Sequence, residues 1–246
     1  MRLAPVLLAA LLAAGCAAGP QVPDRSRAAD SHAGVGLHLI AQGRLEQARA
    51  PLERALELVP GHPEALTGMG LLAEAAGEME RARTYHRRAV DAAPGSGAIR
   101  NNYGRLLCRL GRIDAGLEAL EAAAAAEGYA SAEVPLTNAA RCLLREGRRE
   151  EARGWLRKAL EAAPGFAPAL TARAEAYYLA GEYAAAAADL ERARAAGGGA
   201  RTLYWSVRTA RAQGEAEAAA SYRRRLRERF PDSAYRQRLG DDEGAP

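Results

Sequence analysis

Large rings are scarce in this sequence: Phe, Trp and Tyr make up 5% of its 246 residues. A core of ordinary size must therefore be packed from smaller side chains. Lysine is nearly missing, since Lys158 is the only one among 34 basic residues. Cysteine is sparse too, and three of them do not close a fully paired disulfide framework. The apolar stretch Leu3 to Leu12, interrupted by Pro5, is too short to cross a bilayer, which takes roughly 20 residues. A charged fraction of 26% argues against both a disordered chain and a multi-span membrane protein.

What is abundant is alanine, about a quarter of the chain. Alanine is the best helix former and is depleted in strands, which argues against an all-β fold. The expected class is all-α, with length for one or two domains and a real core. The formal net charge of +4 is weak for this length. Arginine alternates with Glu and Ala, as in Glu150-Glu151-Ala152-Arg153, which reads as solvated helix surface. Nucleic-acid binders cluster such charge with interleaved aromatics; Arg223-Arg224-Arg225 is the best cluster here, and no nucleic-acid partner is expected.

Arg2, the apolar stretch and a small-residue exit make an export signal over residues 1–15. The exit, Leu12-Ala13-Ala14-Gly15-Cys16, resembles the bacterial lipoprotein box, although Ala13 stands where Leu is usual. That resemblance implies an acyl lipid on Cys16 as the first mature residue. With Ala17 rather than Asp second, it also implies transfer to the periplasmic face of the outer membrane. Cleavage near Ala14 or Ala18 would instead release a soluble periplasmic protein. Residues 16–29, with Pro20 and Pro23, read as a lipidated flexible tether.

The rest of the chain repeats. Pro60 and Pro94 are 34 residues apart, each closing a helical run and followed by Gly, and Pro164 ends a third such run. A helix-turn-helix period of 34 is the tetratricopeptide signature. Repeats start near Ala29, Pro63, Gly97, Glu133, Ala167 and Ala200 and fill residues 30–235, leaving 236–246 as a disordered tail. Small residues recur where paired helices must touch. The eighth slot of the first five repeats holds Gly36, Gly70, Gly104, Ala140 and Ala174, with Val207 in the sixth. The twentieth holds Ala48, Ala82, Gly116, Ala152, Ala186 and Ala219, and the twenty-seventh Ala55, Ala89, Ala123, Ala159 and Ala193. A glycine turn such as Gly43, Gly77 or Gly111 separates the two helices of each repeat. The third repeat is two residues longer and lacks its closing Pro, so its exit from Tyr129 to Val134 is expected to be looser.

Stacked helix pairs form a superhelix whose first helices line a concave groove. By resemblance to this family, groove slots include Leu37, Ile40 and Leu71 near the tether and Asn101, Arg105, Cys108 and Arg141 in the middle. The groove is thus expected to be apolar at one end and basic in the middle, suiting a partner segment with apolar anchors and acidic residues. Packing of Leu37 and Ile40 between neighbouring helices is the competing reading. The carboxylate clamp of chaperone-binding repeats is absent, since Thr67 and Leu71 stand where it has Lys and Asn.

A narrower resemblance rests on Asn101-Asn102-Tyr103-Gly104-Arg105-Leu106-Leu107-Cys108, on Gly197-Gly198-Gly199, and on Phe230-Pro231-Asp232-Ser233. These segments look like the type IV pilus biogenesis/stability proteins of the PilF/PilW family, lipidated pilotins of the outer-membrane secretin. The resemblance implies a lipoprotein that binds the secretin subunit and promotes its localisation and multimerisation. The alternative is a general repeat scaffold acting as an adaptor in envelope assembly. Asn102 is expected to bond the adjacent repeat, with Tyr103 and Gly104 also in packing roles, and Asn101 to grip a partner backbone.

No catalytic constellation emerges. His32, His38, His62 and His86 lack the spacing of a helical metal pair, and Gly95-Ser96-Gly97 lies in an inter-repeat turn. An enzyme, a small-molecule substrate, a metal and any cofactor beyond the acyl lipid are not expected. Cys108 and Cys142 fall on successive first helices two slots out of phase, and are read as buried free thiols, with a disulfide as the alternative.

Overall fold

A computed structural model describes residues 24–244; the signal segment, Cys16 and the first part of the tether lie outside them. The described residues form thirteen helices and no strand. Twelve of them make six antiparallel pairs, the all-α superhelix that the period predicts. The first three pairs are α1 (Arg25–Ala41) with α2 (Leu45–Leu58), α3 (Pro63–Ala75) with α4 (Met79–Ala92), and α5 (Gly97–Arg109) with α6 (Ile113–Ala124). The next three are α7 (Glu133–Arg145) with α8 (Arg149–Ala162), α9 (Ala167–Leu179) with α10 (Tyr183–Ala195), and α11 (Ala200–Ala212) with α12 (Ala216–Arg229). A final helix, α13 (Ala234–Gly244), closes the stack. None of these helices is long and apolar enough to cross a membrane.

Each pair is held by the small-residue slots. A Cβ added at Gly104 would lie 2.7 Å from Leu120 Cγ and 3.0 Å from the Gly116 carbonyl, so the α5 and α6 backbones approach too closely for a side chain there. Ala48, Ala55, Ala82, Ala89, Ala152 and Ala159 are all fully buried, and Gly36 and Gly70 abut Leu52 and His86. The turn within each pair needs a left-handed residue, and Gly77 supplies it at φ 77° with no Cβ penalty. Into four of the six pairs a leucine inserts at the twenty-fourth slot: Leu52, Leu120, Leu156 and Leu190 are at most 1% exposed. Burying one such side chain stabilises the fold by about 1.5–3 kcal/mol. In the second repeat that slot holds His86, also fully buried.

Both ends of the repeat domain extend further than the sequence implies. Helix α1 begins at Arg25, capped by Asp24, whose side chain accepts from the Ser26 N–H at 3.0 Å. Ala29 and Ala33, one turn apart, are buried against the first core cluster, so residues 25–29 belong to the fold and not to the tether. At the other end, α13 replaces the expected disordered tail through Gly244. Leu239 is 3% exposed and packs with Tyr235 on the last core cluster, which gives this helix an apolar face to bury. The exit of the third repeat is likewise packed: a Cβ at Gly97 would fall 2.6 Å from the Tyr129 ring, so that ring lies on the α5 N-terminus.

Candidate partner-binding groove

The ninth slot of the six repeats reads Leu37, Leu71, Arg105, Arg141, Glu175 and Arg208, one residue on each first helix. Leu37 and Leu71 are half-buried and belong to none of the core clusters. Ile40 instead packs on the first core cluster beside Leu39, so the interhelical reading holds for it.

Beside this row, α3 buries a carboxylate. Glu74 Oε1 lies 2.9 Å from His86 Nε2 across the α3–α4 pair and accepts from Arg105 Nη2 at 3.0 Å, while Oε2 accepts from Arg109 Nη1 at 2.5 Å. Burial pushes the Glu74 pKa up, but the His86 hydrogen bond and the charges of Arg105, His86 and Arg109 outweigh it and hold the carboxyl below its ordinary value. Arg105 therefore faces the groove from a fixed position, tied to the preceding repeat.

In the middle of the groove Arg105, Arg109, Arg141, Arg145 and Arg201 surround a cavity of about 210 Å³ that also touches Asn138 and Cys108. Arg201 is ion-paired with Glu175. The side chains of Arg141 and Arg145 make no hydrogen bond or ion pair with any described residue, and Arg141 Nε is buried without a partner. Burial, with the Arg201 charge beside it, pulls the Arg141 guanidinium down to about 10 against the opposing Tyr235 and Glu175. Arg145 is lowered too, by burial and by the charges of Arg109, Arg201 and Arg105 against the opposing Glu146.

Under this cavity Cys108 and Cys142 form a disulfide, with Cα atoms 5.6 Å apart, and not the two free thiols expected from sequence. Their two-slot offset is the reason. Two positions turn a side chain by about 200° around a helix axis, as two parallel neighbours need if they are to point at each other. The inter-repeat bond expected of Asn102 is made by Asn101 instead. Asn101 accepts from Asn138 Nδ2 at 2.8 Å and so ties α5 to α7, whereas the Asn102 side chain makes no hydrogen bond with the described residues. Tyr103 is half-buried beside them.

The tetratricopeptide repeat model matches residues 35–97 and 101–167, together more than half of the chain. The chain belongs to the tetratricopeptide-repeat family. None of the curated proteins matches it. Among solved structures, pilF of Pseudomonas aeruginosa is similar with a TM-score of 0.69 at 25% identity, over 89% of this chain and 99% of that one. PilW, a widely conserved type IV pilus biogenesis factor, is similar with a TM-score of 0.71 at 26% identity, over 86% and 97%. A tetratricopeptide repeat protein from Parabacteroides merdae, at 18% identity and a TM-score of 0.70, shares the fold.

Within this tetratricopeptide-repeat chain the residues missed by sequence reasoning carry a usable signal. Glu74 and His86 each break a slot that is mostly apolar in the other repeats, and a slot-by-slot reading of polarity finds both. Arg109 and Arg145 stand four residues after Arg105 and Arg141, on the same helix face. The few aromatics gather at the far end, where Arg208 lies over the Tyr178 and Trp205 rings at 5.1 and 5.4 Å and donates to Tyr204 Oη at 3.1 Å. That end of the row is filled by its own side chains. No group of His, Cys, Asp and Glu among the described residues is arranged to hold a metal.

Proposed function

We propose that this protein is an outer-membrane lipoprotein of type IV pilus biogenesis, which binds the secretin subunit in its groove and promotes its localisation and multimerisation. The observation that carries this reading is the likeness to pilF and PilW over nearly their whole lengths, joined to the Asn101-Asn102-Tyr103-Gly104 segment. The chemistry of such a groove is docking of a polypeptide segment. A disulfide is the kind of cross-link that persists outside a reducing cytosol, in keeping with a periplasmic site. Acyl chains on Cys16 hold the groove at the membrane, where tethering raises the local concentration of secretin.

The reading is tested in a strain lacking the gene. Detergent-resistant secretin multimers are expected to vanish from the outer-membrane fraction and to return with the wild-type gene. A Cys16→Ser gene is expected to yield a protein lost from membranes and to leave the multimers absent or misplaced. Multimers unchanged by the deletion overturn the secretin reading, and Cys16→Ser protein that still fractionates with membranes overturns the anchor.

A further inference from the structure

The middle of the groove carries more cationic charge than the protein neutralises. Arg105 and Arg109 share one carboxylate, Glu74, and Arg201 has Glu175. Arg141 and Arg145 are in no ion pair: Glu175, already paired with Arg201, acts on Arg141 only through its charge, as Glu146 does on Arg145, and Arg141 Nε is shut off from solvent. A charge partly withdrawn from solvent and left out of any ion pair is costly, and charges of one sign gathered in a cavity repel. The fold nevertheless sets them in one place, across three first helices and over a disulfide that fixes α5 against α7. Charge complementarity calls for carboxylates or phosphates at this point.

The rest of the row decides between them. The ninth slot runs Leu37, Leu71, Arg105, Arg141 without interruption, two apolar positions followed by two cationic ones. An inorganic anion uses only half of that row, whereas a polypeptide offers apolar and anionic groups in order. Packed helices stand about 8–10 Å apart and an extended chain advances about 3.3 Å per residue, so one repeat matches about three residues. We propose that the groove binds an extended acidic segment of a partner polypeptide, about ten residues long, whose two side-chain carboxylates meet Arg105/Arg109 and Arg141/Arg145 and whose two apolar side chains meet Leu71 and Leu37. The proposal rests on the reading of the concave face as the protein-binding surface and names the chemistry of what binds there.

The test uses the full chain and labelled ten-residue peptides with blocked termini, carrying two Leu and two Glu at three-residue spacing in a Gly/Ser background, in both chain directions. Binding is read by fluorescence anisotropy. One direction is expected to bind. Changing both Glu to Gln, or the protein by Arg141→Gln with Arg145→Gln, is expected to weaken it by about tenfold or more. The exposed Arg145→Gln change alone, in a protein with wild-type circular dichroism, is expected to give a smaller loss in the same direction. Equal binding of the Gln peptide, binding unchanged in the folded double variant, or no binding in either direction overturns the proposal. So does a Leu-to-Ala peptide that binds as tightly as the parent while inorganic tripolyphosphate displaces both, which marks a phosphate site. Secretin that binds wild type and double variant equally rejects this proposal and leaves the pilus reading standing; peptide binding without secretin binding does the reverse.

Discussion

Replacing Cys108 and Cys142 together with alanine lowers the melting temperature by about 10 °C, measured by circular dichroism. The bond closes a loop of sequence separation 34. Removing a cross-link of that span costs about 3–4 kcal/mol, and each kcal/mol moves the midpoint of a domain this size by about 2–4 °C. Alanine is chosen over serine because Cys142 is fully buried and a hydroxyl there would lack a partner. A reducing agent should bring the wild-type midpoint close to that of the double variant and leave the variant unmoved. A wild-type midpoint indifferent to reductant would contradict a structural role for the bond. Because the bond joins α5 to α7 beneath the arginine cavity, its loss should also loosen the middle of the groove before either end.

Glu74→Ala is expected to cost about 3 kcal/mol, read from the denaturant midpoint, because it strands His86 inside the α3–α4 pair and frees two guanidiniums. Arg105 and Arg109 are about a third exposed and can turn to water, which holds the effect at the low end for a broken buried pair. Glu74→Leu combined with His86→Leu restores the leucine that other repeats carry at the twenty-fourth slot, and is expected to be more stable than Glu74→Ala alone. The same group sets an acid limit. Its folded pKa lies below the ordinary 4.5, so its contribution is complete above 4.5 and is lost as pH falls through the lower folded value. The Glu74→Ala variant should therefore lose less stability than wild type over that acid interval. Parallel losses in the two proteins would contradict the assignment.

Contacts inside a repeat were legible in the sequence, and contacts between repeats were not. Gly104 against Leu120 and Gly36 against Leu52 follow from fixed slots, because each repeat pairs its two helices in the same way. Neighbouring first helices touch through offset slots instead: Cys108 meets Cys142, Glu74 meets Arg105, and Asn101 meets Asn138. Comparing equal slots hides these pairs; of the three, Cys108 with Cys142 alone was weighed from sequence, as the alternative to free thiols. The basic middle of the groove was readable from Arg105 and Arg141, but the lack of partners for Arg141 depends on where Glu175 and Glu74 reach, which only coordinates show. Helix α13 escaped because its apolar face consists of little more than Tyr235 and Leu239, too few positions for a period to emerge.

The central claim is that the groove docks the secretin, and binding between the two purified proteins tests it most directly. Titrating secretin into the full chain should give saturable binding. Leu37→Glu with Leu71→Glu, at half-buried positions outside the core clusters, should melt near wild type and bind at least tenfold more weakly, by roughly 1.4 kcal/mol or more. No binding by the wild-type chain, or equal binding by the folded double variant, would contradict the account.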